Sequence, residues 1–403
     1  MTELKSLIKD PTAAELELVA LYGALPEDTR RERAFKAFAW NGLPHRRMEA
    51  FKWTDFRRAL PELKDGPGAS EDPFVGIEGP WIVFRNGRAD GLNDLPEGLR
   101  AFRKDEVQAF AAAEDLPLGA LTAALVDETI LIEVTEQIDK PLRLIFASSG
   151  DAEFARIAFV VRRDASLTVM ESHLGGAGLN GALLSYGLQA GAKVNRTLVQ
   201  PGGDAAYAVT AEVFLDQDAE FTQTALAFGG HVARLETRLV HQETGSRAEI
   251  NGAYLAAKGR HIDFTSHVRH GARACETVQR TKGAVLDGGT GVFQGKFHVP
   301  KNVGQKTSAD MQHNALLLED GAVVNAKPEL EIYADDVECA HGNTCGALDP
   351  EQLFYLRQRG IPDAAAKALL TEAFVSEALD AAPDVAKERL LDMARSWLNA
   401  SAA

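Results

Sequence analysis

Six short turn segments, recurring along the middle of the chain, constrain the fold more than any other feature. RDASLTV begins at Arg163, QAGAKV at Gln189, DQDAEF at Asp216, TGSRAEI at Thr244, HGARACE at His270 and EDGAVV at Glu319. A small residue in each marks the register: Ala165, Ala192, Ala219, Ala248, Ala272 and Ala322, with gaps of 27, 27, 29, 24 and 50, the last read as two periods of 25. Between them lie runs with the period of half-buried strands. Ile157, Phe159 and Val161 alternate with Arg156, Ala158 and Arg162, and Ile262, Phe264, Ser266 and Val268 with Asp263, Thr265, His267 and Arg269. A repeat in the mid-twenties made of strands and turns predicts a solenoid, because one coil cannot bury its own apolar face whereas stacked coils bury a continuous one. The natural form is a right-handed parallel β-helix. The period alone leaves an antiparallel sandwich open, although sandwich turns recur at ~8–12 residues.

The flanks read differently. Residues 1 to about 60 are predicted helical, with one helix over Ala13 to Leu21 and another from Pro26-Glu27-Asp28 to Asn41-Gly42. The segment GLPHRRMEAFKWTDFR follows; its arginines suit a solvated linker. Residues 61–80 read as loop, Trp81 to Phe84 as a short strand before an Asn86-Gly87 turn, and Lys104 to Ala113 as helix. After Gly346 the chain is helical, with Leu370, Phe374 and Ala378 on one stripe and Leu390, Leu391, Ala394, Trp397 and Leu398 on a second. The expected units are 1–128 (helical and mixed), 129–346 (β-helix core) and 347–403 (helical, partner-binding).

Bulk properties exclude some functions. A formal net charge of −15 argues against nucleic acid and anionic membranes as partners. Three cysteines without a CxxC pair make neither a disulfide framework nor a zinc module. No apolar run is long enough to span a bilayer and no secretory segment stands near Met1, so the cytoplasm is the expected location.

The stretch Lys327 to Pro362, KPELEIYADDVECAHGNTCGALDPEQLFYLRQRGIP, carries the most information about function. Leu330, Ile332 and Ala334 alternate with Glu331, Tyr333 and Asp335. After an Asp335-Asp336 turn, Val337, Cys339 and His341 share one side of a second strand, with Cys339 and His341 about 6.7 Å apart at ~3.3 Å per residue. Asp349-Pro350-Glu351-Gln352 starts a helix with an N-cap, a proline at the first position and a glutamine three after the cap. Leu353, Phe354 and Leu356 give it an apolar side, and Gly360 and Pro362 end it.

This string resembles the C-terminal signature of the SufB/SufD family of iron–sulfur cluster assembly proteins. The resemblance continues through QRTKGAVLDGGTGVFQGKFHVP and DMQHN, with an echo in GLPHRRMEAFKWTDFR. Gly342 stands where the B-type subunit carries Glu, so the chain resembles the D-type subunit. The resemblance implies the parallel β-helix and a non-catalytic scaffold that pairs with a B-type subunit, SufB, and docks an ABC-type ATPase, SufC, through its C-terminal helices. Phe354, Tyr355, Leu370 and Phe374 are the expected docking residues. It further implies a transient iron–sulfur cluster at the interface with the B-type chain, with His341 taking part and Cys339 nearby. Reduced flavin accompanies the family complex, but no flavin motif stands here, and a homodimer is expected when the chain is alone.

Read without the resemblance, Cys339 and His341 fit a core cysteine and a hydrogen-bonded histidine as well as iron ligands, since two residues cannot complete a four-ligand site. The remaining candidates have plain readings. Gly176-Ala177-Gly178-Leu179-Asn180-Gly181 matches GxGxxG but lacks a βαβ setting and reads as a loop between coils. Gly288-Gly289-Thr290-Gly291 builds no P-loop on Lys296 or Lys306, so no nucleotide is expected there. His261, His267 and His270 read as solvated strand surface, His298 and His313 as structural, and Cys275 and Cys345 as packing. Two rival functions remain. One is a polysaccharide-active β-helix enzyme, with Asp263, Glu276 and Asp310 aligned by stacking; the other is a metal-free homodimeric interaction protein.

Overall fold

The computed structural model describes residues 8–64, 71–85, 87–104, 116–148, 150–176 and 178–401. Its centre is a parallel β-helix whose chain alternates between two sheets. One sheet holds β1 (Trp81–Arg85), β2 (Arg88–Asp90), β5 (Leu142–Ser148), β7 (Ser166–Gly175), β9 (Lys193–Gln200), β11 (Glu220–Ala227), β13 (Arg247–Ala256), β15 (Glu276–Val285), β17 (Thr307–Leu317) and β19 (Val337–Gly346). The other holds β3 (Leu99–Lys104), β4 (Thr129–Val134), β6 (Ala152–Val161), β8 (Leu179–Leu188), β10 (Ala206–Leu215), β12 (Val232–His241), β14 (His261–His270), β16 (Thr290–Val299) and β18 (Val323–Ile332). From β4 onward each strand pairs in parallel with the strand two places on, as in Val209↔Leu235↔Phe264. Residues 129–346 contain no helix among the described residues.

Each coil turns two corners, and from β6 to β18 each corner carries a residue in the left-handed region. At the corner into the first sheet these are Asp164 (φ 58°), Gly191 (69°), Asp218 (55°), Gly245 (77°), Ala274 (54°) and Lys306 (60°). At the opposite corner they are Gly178, Gly203, Gly230, Gly259, Gly288 and Gly321. Successive corners nest: a Cβ on Gly191 would overlap the Asp164 carboxylate, and one on Gly245 that of Asp218. These two columns correct one element of the sequence reading. Ala322 lies beside Gly321, at the opposite corner from Ala165, Ala192, Ala219, Ala248 and Ala272. Both corners impose the same backbone demand, so their sequences look alike.

The interior is one apolar column, including Ile132, Ile157, Leu184, Val213, Leu239, Val268 and Phe293. A charged group also lies inside it. Arg196 donates to both oxygens of Glu171 at 2.7 Å, and Tyr186 Oη donates to Glu171 at 2.8 Å. Burial alone would raise the Glu171 carboxyl, but Arg196 and His173 overcome it and hold the pKa at about 2.

Helices cover the outer faces. The C-terminal helices α6 (Asp363–Ser376) and α7 (Asp384–Ser401) lay Val375, Ala378, Leu379, Ala386, Leu390 and Ala394 on Met170, Val199, Leu226, Ala253 and Ala284 of the first sheet. Thus Leu390, Ala394 and Leu398 face this chain's own core, as does Ala378 in the turn after α6. The N-terminal helices α1 (Ala13–Ala24), α2 (Thr29–Asn41) and α3 (Phe56–Ala59) pack with α4 (Pro117–Leu125) against the second sheet. The first two were expected. The α4 sequence shows no amphipathic stripe because nearly all of it is buried. The helix expected over Lys104 to Ala113 lies outside the described residues, apart from Lys104, which ends β3.

The reading of Gly42 to Arg47 as a solvated linker holds only for Arg46 and Arg47. Arg46 and Arg47 are exposed, but the backbone between them and α3 is clamped to the second sheet. Arg234 donates to the Ala50 carbonyl at 3.0 Å and lies over the Phe51 ring, Gln294 donates to the same carbonyl at 3.2 Å, and Thr54 donates to Asp263 at 2.6 Å. The histidines are not solvated surface either, correcting that reading: the cover reaches His261, whereas His267 and His270 are held within the β-helix. His261 hydrogen-bonds Thr54 at 3.0 Å, His267 bonds Arg238 at 3.1 Å, and His270 is fully buried and stacked on His241. Alternation marked the outer face correctly but could not reveal what lies on it. Asp263 and Asp310 fall on different sheets, and Glu276 pairs with Arg247, so stacking does not gather the carboxylates that a polysaccharide-active site needs.

Candidate functional site

The two ends of the β-helix are unlike. At the N-terminal end the sheets finish in short antiparallel strands, β2 beside β1 and β3 beside β4. The β3 edge carries Arg100, Arg103 and Lys104, the kind of charged edge that discourages further pairing. At the C-terminal end, among the described residues, β18 pairs only with β16 and β19 only with β17, so two ten-residue strands present free edges. Each edge runs about 33 Å at ~3.3 Å per residue. The core column ends there uncovered, with Ala322, Val324, Ala326, Leu330 and Cys339 only partly buried.

β19 carries the expected residues. Cys339 pairs with Ala309, His341 with Met311, Asn343 with His313 and Cys345 with Ala315. Those partners are all buried core positions, so Cys339, His341, Asn343 and Cys345 stand on the inward face of the last coil. No coil follows to cover them, which leaves His341 exposed and Cys339 half-buried. Burial raises the Cys339 thiol, so near neutral pH it is protonated until a metal or cation displaces the proton. Cys345 is exposed, which corrects its reading as a packing residue: it sits on the uncovered face where packing would need one more coil. Among the described residues no three His, Cys, Asp or Glu side chains form a group that could hold a metal ion.

Sequence reasoning missed what holds this strand. His313, stacked on Phe293 at 4.6 Å, lies beneath Asn343. Its Nδ1 donates to Asn343 Oδ1 at 2.7 Å, and its Nε2 accepts from Tyr254 Oη at 2.9 Å. Burial brings the His313 pKa down to about 4, so the ring stays neutral and this arrangement persists at neutral pH. The Tyr254 ring fits because Gly283 and Gly291 flank it, and a Cβ on either would overlap it. Period two from His341 gives Asn343 and Cys345 the same face, so alternation could have flagged both.

Beyond the open end, α5 (Pro350–Gln358) starts at the expected Asp349 cap, whose carboxylate accepts from Glu351 N at 2.8 Å. This helix buries no residue; Phe354 is 63% and Tyr355 57% exposed, and both line an open apolar depression with Pro350 and Gln358. Leu370 and Phe374 on α6 are half-buried, and the Lys282 ammonium sits 4.3 Å from the Phe374 ring. The docking set therefore divides into a free pair on α5 and a pair half engaged with its own chain.

The fold is thus a parallel β-helix whose last coil leaves a Cys–His face uncovered. Residues 144–374 match the core domain of SufB and SufD in the SUF system of FeS cluster assembly, and the chain belongs to that family. The iron-sulfur cluster assembly protein SufD of Escherichia coli is 36% identical over 173 residues, covering 43% of this chain and 41% of that protein. An iron-sulfur cluster assembly SufBD family protein of Synechocystis is 27% identical over 393 residues, covering 85% of this chain and 84% of its own length. SufD of Bacillus subtilis is 25% identical over 324 residues, covering 72% and 67%. No helix of the described residues is long and apolar enough to cross a membrane.

Proposed function

We propose that this chain is a non-catalytic, D-type scaffold subunit of a SufBCD-type complex, acting in the cytoplasm. Its last coil pairs with a B-type subunit, and its C-terminal helices dock an ABC-type ATPase. The observation that carries this reading is the uncovered C-terminal end: two free ten-residue edges flanking an inward face that bears Cys339, His341 and Cys345. Unpaired strand edges of that length favour β-strand addition by another chain. A second chain laid there brings its own ligands opposite His341, whose imidazole can donate a lone pair to iron, while Cys339 supplies a thiolate once iron displaces its proton. The cluster is cargo, built at the junction and passed on. Phe354 and Tyr355 form the apolar anchor for the ATPase, because exposed aromatic side chains on a rigid helix are typical of docking centres.

Co-expression with a B-type subunit and the ATPase, followed by size-exclusion chromatography with light scattering, tests the reading. A stable assembly containing all three chains is expected. A chain that stays alone, or that forms only a homodimer in the presence of both partners, overturns it.

A further inference from the structure

A basic cleft lies at the N-terminal helices, on the loop that Glu49 ties to Lys327 of β18. His45, Arg46, Arg47, Asp55, Arg57 and Arg58 line a space of about 340 Å³. An adjoining space of about 490 Å³ shares His45, Arg47 and Arg57 and adds Lys9, Asp10 and Trp40 to its wall. Both volumes lie in the range of small-molecule sites. We propose that this cleft binds the phosphate group of a small soluble molecule.

The first argument is charge without partners. The chain has 58 acidic and 43 basic residues, yet among the described residues no ion pair engages Arg46, Arg47 or Arg58. The carboxylate lining the cleft is already occupied: Asp55 Oδ1 accepts from the Arg58 backbone N–H at 2.9 Å. Asp10 meets Arg57 through its backbone carbonyl. Guanidinium groups gathered in excess over carboxylates repel one another, and an entering dianion relieves that repulsion while accepting paired N–H bonds.

The second argument is a rigid floor. Glu15 is fully buried, accepts from Leu43 N at 2.8 Å and lies 3.4 Å from Arg57 Nε, tying α1 to the cleft loop. On the far side, Arg234 and Gln294 hold the Ala50 carbonyl, Asp263 holds Thr54, and Lys327 pairs with Glu49 at 2.8 Å. The arginines thus project from a backbone fixed at both ends, which lowers the ordering cost of binding. Trp40, 73% exposed at the rim, offers a flat wall for the organic part of the ligand. The concave, confined shape and the overall negative charge disfavour a membrane surface as the source of the phosphate.

Titration calorimetry on the full chain at ~0.15 M salt, where distant charges are screened, provides the test. The probes are inorganic pyrophosphate, AMP and vesicles containing phosphatidic acid. One-to-one binding of pyrophosphate or AMP is expected, weakened at least roughly tenfold in the Arg46→Ala/Arg47→Ala double variant. Arg58→Ala, a single change in an exposed side chain, decides the matter if the double variant melts early. No binding of either soluble probe at millimolar concentration, unchanged binding in a folded variant, or binding to vesicles alone overturns the proposal.

Discussion

Two histidines one coil apart separate a structural role from an assembly role, and alanine at each gives opposite outcomes. His313 is fully buried, and among the described residues it is the side-chain partner of Tyr254 Oη. His313→Ala orphans that hydroxyl at a cost of about 1–3 kcal/mol. Asn343 is exposed and turns to water instead, so its loss adds little. The vacated space between Phe293 and Tyr254 costs about 1–2 kcal/mol at ~24 cal/mol per Å³ of cavity. Together the loss is roughly 2–5 kcal/mol, a fall in melting temperature of roughly 2–6 °C for a chain of this length. His341 is exposed on the last coil, and no side-chain hydrogen bond engages it among the described residues. His341→Ala should therefore stay within about 0.5 kcal/mol of the parent, while maturation of iron–sulfur enzymes fails in cells that depend on this chain. Cys339→Ala serves as the matched control, with a weaker defect expected. The assays are thermal melting of each purified variant and cluster-enzyme activity in the complemented strain. A destabilised His341→Ala protein, or normal maturation with it, would refute the reasoning for that residue. An unshifted melting temperature for His313→Ala would refute the account of the clamp.

Phe354→Asp with Tyr355→Asp should abolish capture of the ATPase and leave the circular dichroism spectrum unchanged, because neither side chain is buried in this chain. Gly283→Ala drives a methyl into the Tyr254 ring, which Gly291 hems in from the other side; a loss of at least about 1–3 kcal/mol is expected in denaturant titration. Stability should also fall on acidification. Burial holds His313 and His270 at about 4, below the ~6.5 of an unfolded chain, so the unfolded state binds more protons between those values. Their contribution is complete above pH ~6.5 and is lost as the pH falls toward 4, on the order of 3 kcal/mol for His313. Melting temperatures across that window check the sign, and His313→Phe should flatten the slope.

The β-helix was legible because the coils from β6 to β18 spend a left-handed residue at each corner, and Asp, Gly and small neighbours recur where the backbone demands them. The same demand operates at both corners, which is why Ala322 was counted in the wrong column. Alternation placed Cys339 and His341 on one face, but only pairing with Ala309 and Met311 shows that this face points inward. Whether such a face is buried depends on whether another coil follows, and that is a property of the whole stack. The outer face misled for the converse reason. His261 and Asp263 look solvated in their own strand, and Thr54, some two hundred residues earlier, covers them. The interior pair Glu171–Arg196 breaks the apolar pattern of its strands, and no local rule identifies its partner across coils.

The inequality of the two ends decides how many chains such a solenoid can join. A stack with two adhesive ends propagates head to tail and forms a filament. Here one end is finished by antiparallel strands and a basic edge, and the other is bare. When two bare ends meet, each consumes the other's long free edges and none remains, so growth through this surface stops at a pair. The short strands β2 and β3 thereby act as a terminator at one end of a fold whose repeat could otherwise be extended without limit.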